Sequence, residues 1–513
     1  MYIPEVSLSA YVLAGAAARG DRPALIEGPS GRTLTYGALA AQVRRAAAGL
    51  ARRGFRKGDV LALYSPNLPE FAVAFYSAAV LGGTVTTVNP LLTVHELAKQ
   101  LADAHATVLV TVPPLLDKAR EAAARARVRD IYVFGRADGA NSFTELLDGS
   151  DEPPAVAINP AEDVVALPYS SGTTGLSKGV MLTHRNLVAN CLQADGPQHL
   201  GEGDVTVAAL PFFHIYGLTV ILNRGLANGA TIVTMPRFDM EPFLELVQQH
   251  RATRLYLVPP LILGLTQSPL VHRFDLSSVK SITVGAAPLG AELSQRCAAR
   301  LGCEVVQGYG LTETSPVTHS TPLGRNKPGT IGLPVAGTEA IVADLVTGTP
   351  LGPGERGEIW VRGPQVMKGY LGQPAATAEA FAPGGWLRTG DIAFVDDDGY
   401  FTVVDRAKEL IKYKGFQVPP AELEGVLVSH PSVADAAVIG IPDEDAGELP
   451  KAYVVLKGEV TADELIAYVA ERVAPYKKIR LIEVTDQIPK SASGKILRRV
   501  LVEQERVRAQ GSS

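Results

Sequence analysis

The shortages in this chain are its first guide. Cysteine is scarce, with Cys191, Cys297 and Cys303 the only three in 513 residues. An odd number without CxxC spacing argues against a disulfide framework or a cysteine-held metal, and fits a reducing cytosol. No charge sign dominates. The 48 Lys and Arg against 53 Asp and Glu leave a formal −5, which argues against a protein that works by coating nucleic acid. Long apolar runs are also missing: stretches such as FAVAFYSAAVLGG are too short and too broken by glycine to cross a bilayer. The opening MYIPEVSLSAYVLAGAAARG puts Glu5 where a secretory leader needs Lys or Arg. There is no low-complexity tail and no repeat of solenoid length. A soluble, intracellular, cytoplasmic chain is expected. With 46% hydrophobic and 20% charged residues, it should hold roughly two to four ordinary domains.

What is present alternates. TYGALAAQVRRAAAGLARRG sets Leu39, Val43, Ala46 and Leu50 on one helical face and stops at Gly54. The strand VLALY follows, then a helix near PEFAVAFYSAAVLGG, then the strand TVTTV. Next, TVHELAKQLADA opens on a capping box, Thr93 to Glu96, and leads into the strand TVLVT. This alternation predicts parallel sheets flanked by helices, with ligands at the carboxyl ends of strands. From about 320 to 404 the texture changes to short β pieces punctuated by Gly and Pro, such as GERGEIWVRG and GYFTVVD, which predict a small barrel or antiparallel layer. After it comes a compact α+β unit. Its helices are PPAELEGVLVSH and TADELIAYVAERV, with a capping box from Thr461 to Glu464, and its strands AAVIGI, KAYVVL and IRLIEV. The expected division is 1–404 and 405–513.

Several loops carry chemistry. YSSGTTGLSKG, from Tyr169 to Gly179, follows an apolar run. Ser170, Ser171, Thr173 and Thr174 offer hydroxyls, Gly172 and Gly175 let backbone N–H groups approach a ligand, and Lys178 adds a charge suited to phosphate. It does not fit the Walker A spacing, and its composition alone equally describes an ordinary polar loop. QGYGLTET sets Tyr309, Thr312 and Glu313 at a glycine turn; it reads either as a capped tight turn or as a nucleotide and Mg²⁺ site. WLRTGD supplies Asp391, which could accept from ribose hydroxyls or merely close a turn. DRAKELIKYKG gathers Arg406, Lys408, Lys412 and Lys414, otherwise a solvated helix face. PKSASGKILRR places Lys495 before what is otherwise only a helix start.

Taken in this order, SSGTTGLSKG, YGLTE, RTGD, DRAKELIKYKG and SGKILR resemble the adenylate-forming superfamily of acyl-CoA synthetases, peptide-synthetase adenylation domains and beetle luciferases. The resemblance runs from about Leu34 to Arg499. One departure is Ser177, where the family usually has Pro; it costs loop stiffness. The resemblance implies an α/β chain: a large N-terminal domain of parallel-sheet subdomains plus a small β-barrel, and a small, mobile α+β C-terminal domain. It implies that a carboxylic acid attacks the α-phosphate of ATP, giving acyl-AMP and pyrophosphate, and that the thiol of coenzyme A then displaces AMP. Ser170 to Thr174 and Lys178 would cradle the β- and γ-phosphates. Gln307, Gly308 and Thr312 would lie against the nucleotide, Thr312 on its α-phosphate, and Glu313 would hold Mg²⁺. Asp391 and Arg406 would fix the ribose. Lys495 would bridge carboxylate and phosphate oxygens in the first step, a preorganised electrostatic role. Lys408 matches the pivot of the small domain. Lys412, Lys414 and Gly415 would face the site in a second pose, Gly415 lining the pantetheine path and Arg237 near the nucleotide of coenzyme A.

FFHIYGL, GAAPLG, RGPQVMKGYLG and YKGFQVPPAELE look most like 4-coumarate–CoA ligases. That likeness implies an aromatic (hydroxy)cinnamic acid in a slot formed by Tyr216, Val220, Ala286, Gly308, Pro316 and Val317, with His214 as its gate. Ala286 and Gly308 would leave room for a flat ring, and Tyr216 could stack on it; the same residues would also suit plain core packing. Val220 offers no partner to a phenolic hydroxyl. An unpaired one costs roughly 1–3 kcal/mol, which favours cinnamate over coumarate. The alternatives are a medium- or long-chain fatty acyl-CoA ligase on the same scaffold and a non-catalytic binder of acyl-adenylate. A peptide-synthetase module would require a carrier segment after Arg499, and a luciferase has no supporting feature beyond the shared fold. RAQGSS at the end is no peroxisomal address.

Overall fold

The computed structural model describes the 513 residues except 150, 151, 171–176, 407, 408, 415, 444, 492, 493, 512 and 513, and except the side chains of 417 and 509–511. Its first long helix shows why local sequence becomes structure. Thr35 caps helix Tyr36–Arg52, its hydroxyl accepting from the Ala38 N–H at 3.2 Å. Leu39, Val43, Ala46 and Leu50 are all fully buried on one face, and Gly54 then turns the chain at φ +89°. The expected strands follow as Val60–Tyr64, Thr84–Val88 and Ala106–Thr111, mutually parallel around the central Val60–Tyr64. The capping box is present: the Thr93 N–H donates to Glu96 at 2.8 Å, and the Glu96 N–H returns to the Thr93 hydroxyl at 3.3 Å.

These strands are the centre of a nine-stranded sheet. Its other flank is not parallel. Lys178–Thr183 runs antiparallel to Val164–Ala166, to Tyr169–Ser170 and to Gly369–Tyr370. Strands this close in sequence pair antiparallel, because a parallel crossover needs about a dozen residues or more. A second sheet sets Arg254–Leu257, Ser281–Val284 and Glu304–Gly310 parallel, then turns back along Val317–Ser320. A third joins Val205–Ala208, Thr231–Thr234 and Pro23–Glu27.

The antiparallel layer is built from Glu339–Ala343, Gly357–Arg362, Trp386–Val395 and Phe401–Arg406. Its last strand runs past the expected limit at 404, because Asp405 and Arg406 still pair with Ile392 and Asp391. The next sheet opens only at Ile411; we place the change of domain between the two. That final sheet carries helices Pro420–Ser429 and Ala462–Ala470 and has its own core, including Ile411, Leu423, Leu427, Val438, Val454 and Leu465. Among the described residues, no helix is long and apolar enough to cross a membrane.

Candidate active site

The loop after strand Glu304–Gly310 leaves the carboxyl end of a parallel strand, where ligands settle in open α/β sheets. Gly310 is obligatory there: a Cβ would lie 1.7 Å from the Pro316 carbonyl oxygen. The chain then makes the turn Thr312–Thr314, which carries Glu313. The Ser170 hydroxyl donates to Glu313 Oε1 at 2.9 Å, and the Tyr370 hydroxyl donates to the same oxygen at 2.9 Å. Lys178 Nζ stands 4.9 Å from the centre of the Tyr370 ring. Ser170, Lys178 and Glu313 are therefore brought together, with half-buried Thr312 beside Glu313. Tyr370 was not foreseen; only its pairing with Val180 on a distant strand delivers it. Ser171, Gly172, Thr173 and Thr174 lie outside the described residues.

Asp391 and Arg406 are register partners on neighbouring antiparallel strands, and Glu313 of this cluster is close enough to act on the Arg406 charge. The Arg406 guanidinium lies 3.0 Å from Asp391 Oδ1, and the Tyr309 hydroxyl donates to Asp391 Oδ2 at 2.6 Å. Asp391 is 4% exposed, and these two contacts offset the cost of its burial. Asp391 in turn raises the pKa of Arg406. Gln307, expected to lie against the nucleotide, is bonded to the loop beside it. Its amide accepts from the Leu289 N–H at 2.9 Å and donates to the Leu289 carbonyl at 3.1 Å, which braces the 285–290 loop.

The small C-terminal domain offers one lysine to this site. Its Gly494 lies against the body, since a Cβ there would be 3.4 Å from side-chain atoms of Val258 and Pro260. Burial, then the neighbouring Arg406, pushes the Lys495 amine down to about 8, against the pull of Glu409 and Asp391. Lys412 and Lys414 are exposed. The Lys412 backbone N–H donates to Glu448 at 2.7 Å, and Lys414 Nζ is 5.8 Å from the centre of the Tyr413 ring. Arg237 is also exposed, beyond strand Thr231–Thr234. Lys408 and Gly415 lie outside the described residues.

The residues expected to hold the acid gather around a π-helical segment, Tyr216–Asn223, which nothing in the local sequence announced. The Tyr216 hydroxyl donates to the Thr283 carbonyl at 3.1 Å. Its ring lies so close to Gly285 that a Cβ there would be 3.0 Å from Cε1. Val220 is buried on the same segment. At Gly308 the nearest atom to a Cβ would be the His319 carbonyl oxygen at 3.5 Å, so that face has room. Ala286 is exposed and adopts the left-handed φ of 69°. Pro316 is buried, and half-buried Val317 is held at both ends by Asn190, at 3.0 and 2.7 Å. Burial pushes the His214 imidazole down to about 4, so it is neutral at pH 7; its Nδ1 accepts from the Tyr216 N–H at 3.3 Å.

The profile of the AMP-binding enzyme family matches residues 13–371, and that of the AMP-binding enzyme C-terminal domain matches residues 422–495. The chain belongs to the AMP-binding enzyme family. Residues between the two matched spans, Asp391, Arg406 and Lys412 among them, connect the body of this AMP-binding enzyme to its C-terminal domain. It is 47% identical over 517 residues to 4-coumarate–CoA ligase 5 of Oryza sativa subsp. japonica, covering 97% of this chain and 95% of that one. It is 42% identical over 515 residues to 4-coumarate–CoA ligase 1 of Petroselinum crispum, covering 98% and 94%. Among solved structures, the anthranilate CoA ligase AuaEII in complex with anthranoyl-AMP superposes with a TM-score of 0.92 at 27% identity, over 99% and 98% of the chains. ATP-bound MatB from Rhodopseudomonas palustris superposes with a TM-score of 0.88 at 32% identity, over 97% and 99%.

Proposed function

We propose that this AMP-binding enzyme is an ATP-dependent acid–CoA ligase acting on a cinnamic or hydroxycinnamic acid. In the first step a carboxylate oxygen bonds to the α-phosphorus of ATP and pyrophosphate leaves. In the second, the sulfur of coenzyme A bonds to the acyl carbon and AMP leaves. The observation that carries the reading is the nearness of Lys495 to the Arg406–Asp391 pair, where Arg406 also feels Glu313, itself bonded to Ser170. The names of the curated relatives support coenzyme A and a hydroxycinnamic acid as substrates.

Lys178 and the 170–174 loop are assigned to the outer phosphates, and Thr312 to the α-phosphate. Asp391, steadied by Tyr309 and Arg406, is assigned to the ribose hydroxyls. Lys495 stabilises charge as it passes from carboxylate to phosphate, in a position fixed before the reaction begins. Glu313 is the residue to hold Mg²⁺. Among the described residues no group of three or more His, Cys, Asp or Glu forms a metal cage. A single carboxylate fits an ion that takes its remaining ligands from water and phosphate. When bound, Mg²⁺ supplies neutralising charge to the phosphate oxygens. Lys412, Lys414 and Gly415, with Arg237, are assigned to the second step, in which the small domain presents its other face.

The aromatic acid lies between Tyr216 and the open faces of Gly308 and Ala286, closed by Val220, Pro316 and Val317, with His214 at the entrance. Val220 gives a phenolic hydroxyl no partner, so cinnamate is preferred to coumarate. All three cysteines are free thiols, which supports a cytoplasmic location. A thioester-forming panel of cinnamate, coumarate, ferulate, octanoate and palmitate tests the reading. The cinnamic acids should give the highest kcat/KM, and preference for octanoate or palmitate would overturn the aromatic assignment. The absence of ATP–pyrophosphate exchange with every acid would overturn the ligase itself.

A further inference from the structure

Tyr370 lies in the RGPQVMKGYLG segment, to which no site role is assigned, yet it touches two of the site's charges at once. Its position is fixed from three sides. It pairs with Val180, two residues beyond Lys178. Its own N–H donates to the Thr377 hydroxyl at 2.9 Å, and the flanking Leu371 N–H donates to the Gly179 carbonyl at 2.9 Å. Three residues earlier, the Met367 N–H donates to the backbone carbonyl of Glu313 at 2.8 Å. The segment 367–371 therefore stitches the strand that starts at Lys178 to the turn that carries Glu313.

The side chain repeats the same connection. Its hydroxyl donates to Glu313 Oε1 at 2.9 Å, and its ring face carries Lys178 Nζ at 4.9 Å from the centre. An ammonium over an aromatic face is attracted by the ring quadrupole, and a phenol given to a carboxylate makes a charge-assisted hydrogen bond. The ring thus meets a cation on its face and an anion at its hydroxyl.

We propose that Tyr370 is a positioning residue for adenylation: one side chain sets Lys178 for the outer phosphates and Glu313 for the cation that accompanies them. This rests on the reading of the site as an ATP-dependent ligase. It follows that Tyr370 acts only while the triphosphate is present. Thiolysis of acyl-AMP has no pyrophosphate to hold and should not depend on it.

The two halves of the ring's task can be separated. Tyr370→Phe keeps the face and removes the hydroxyl, so the Mg²⁺ concentration for half-maximal adenylation should rise about tenfold. Tyr370→Leu removes the face too, and the calorimetric Kd of MgATP should weaken by about a further threefold. Thiolysis of supplied acyl-AMP should stay within about twofold of wild type in both variants. In a Glu313→Gln background, Tyr370→Phe should add no more than about twofold to the MgATP Kd, because the hydroxyl acts through that carboxylate. An unchanged Mg²⁺ midpoint in Tyr370→Phe overturns the proposal. So does a parallel loss of thiolysis, which would mark a general structural role. A wild-type protein that makes no acyl-AMP would instead overturn the underlying reading, and the inference with it.

Discussion

Lys495 and Lys412 belong to the same small domain, yet the structure treats them in opposite ways. Lys495 is turned into the body, its amine pushed down to about 8 among Arg406, Glu409 and Asp391. Lys412 faces solvent on the strand Ile411–Tyr413. Burying an ammonium costs several kcal/mol unless charges around it compensate, so a fold does not tuck in a lysine idly. On the proposed reading, this arrangement serves the first chemical step. The same reading requires the domain to turn before the second lysine can act.

The largest test of this contrast is Lys495→Ala. It should lower acyl-AMP formation by about 10²–10³-fold, as loss of a preorganised charge donor does, while thiolysis of supplied acyl-AMP stays near wild type. Equal loss of both half-reactions would erase the distinction between the lysines. Lys408→Pro comes next: fixing φ at the proposed pivot should slow thioester formation by about tenfold or more, with adenylation far less affected. Lys412→Ala should show the mirror image of Lys495→Ala on a smaller scale, slowing thiolysis several-fold in single-turnover assays and sparing pyrophosphate exchange.

The smallest effect is a pH profile. A lysine whose pKa is lowered by burial holds its proton below about 8 and loses it as pH rises through that value. Adenylation should therefore fall above pH 8, with no matching fall when acyl-AMP is supplied. Buried His319 and His184 act at the other end of the scale. Burial lowers them to about 3 and about 4, so the unfolded chain binds more protons below its ordinary histidine value. Stability is lost as pH falls from about 6.5 towards 4, and thermal melting across that range reads it.

What the sequence made legible was local or motif-bound. The capping boxes at Thr93 and Thr461, the buried face of Tyr36–Arg52 and the short antiparallel strands depend on neighbours a few residues away, and each is found where its pattern lies. The meeting of Ser170 with Glu313 followed from motif order, though nothing in either segment states the distance. Tyr370 stayed hidden because its place depends on the pairing of strands far apart in the chain. The resemblance puts Gln307 against the nucleotide; its bond to the Leu289 N–H becomes visible only once the facing loop is known. The π-helical turn at Tyr216 has no sequence signature of its own; packing imposes it.

Two glycines in one strand end have very different futures under mutation. At position 310 any side chain would strike the Pro316 carbonyl at 1.7 Å, whereas at position 308 one methyl would meet nothing nearer than 3.5 Å. Inheritance can therefore experiment at 308 without dismantling the turn that bears Glu313. A lineage, or an engineer, seeking to shorten the chamber for a smaller acid has an open door there, and a closed one two residues on.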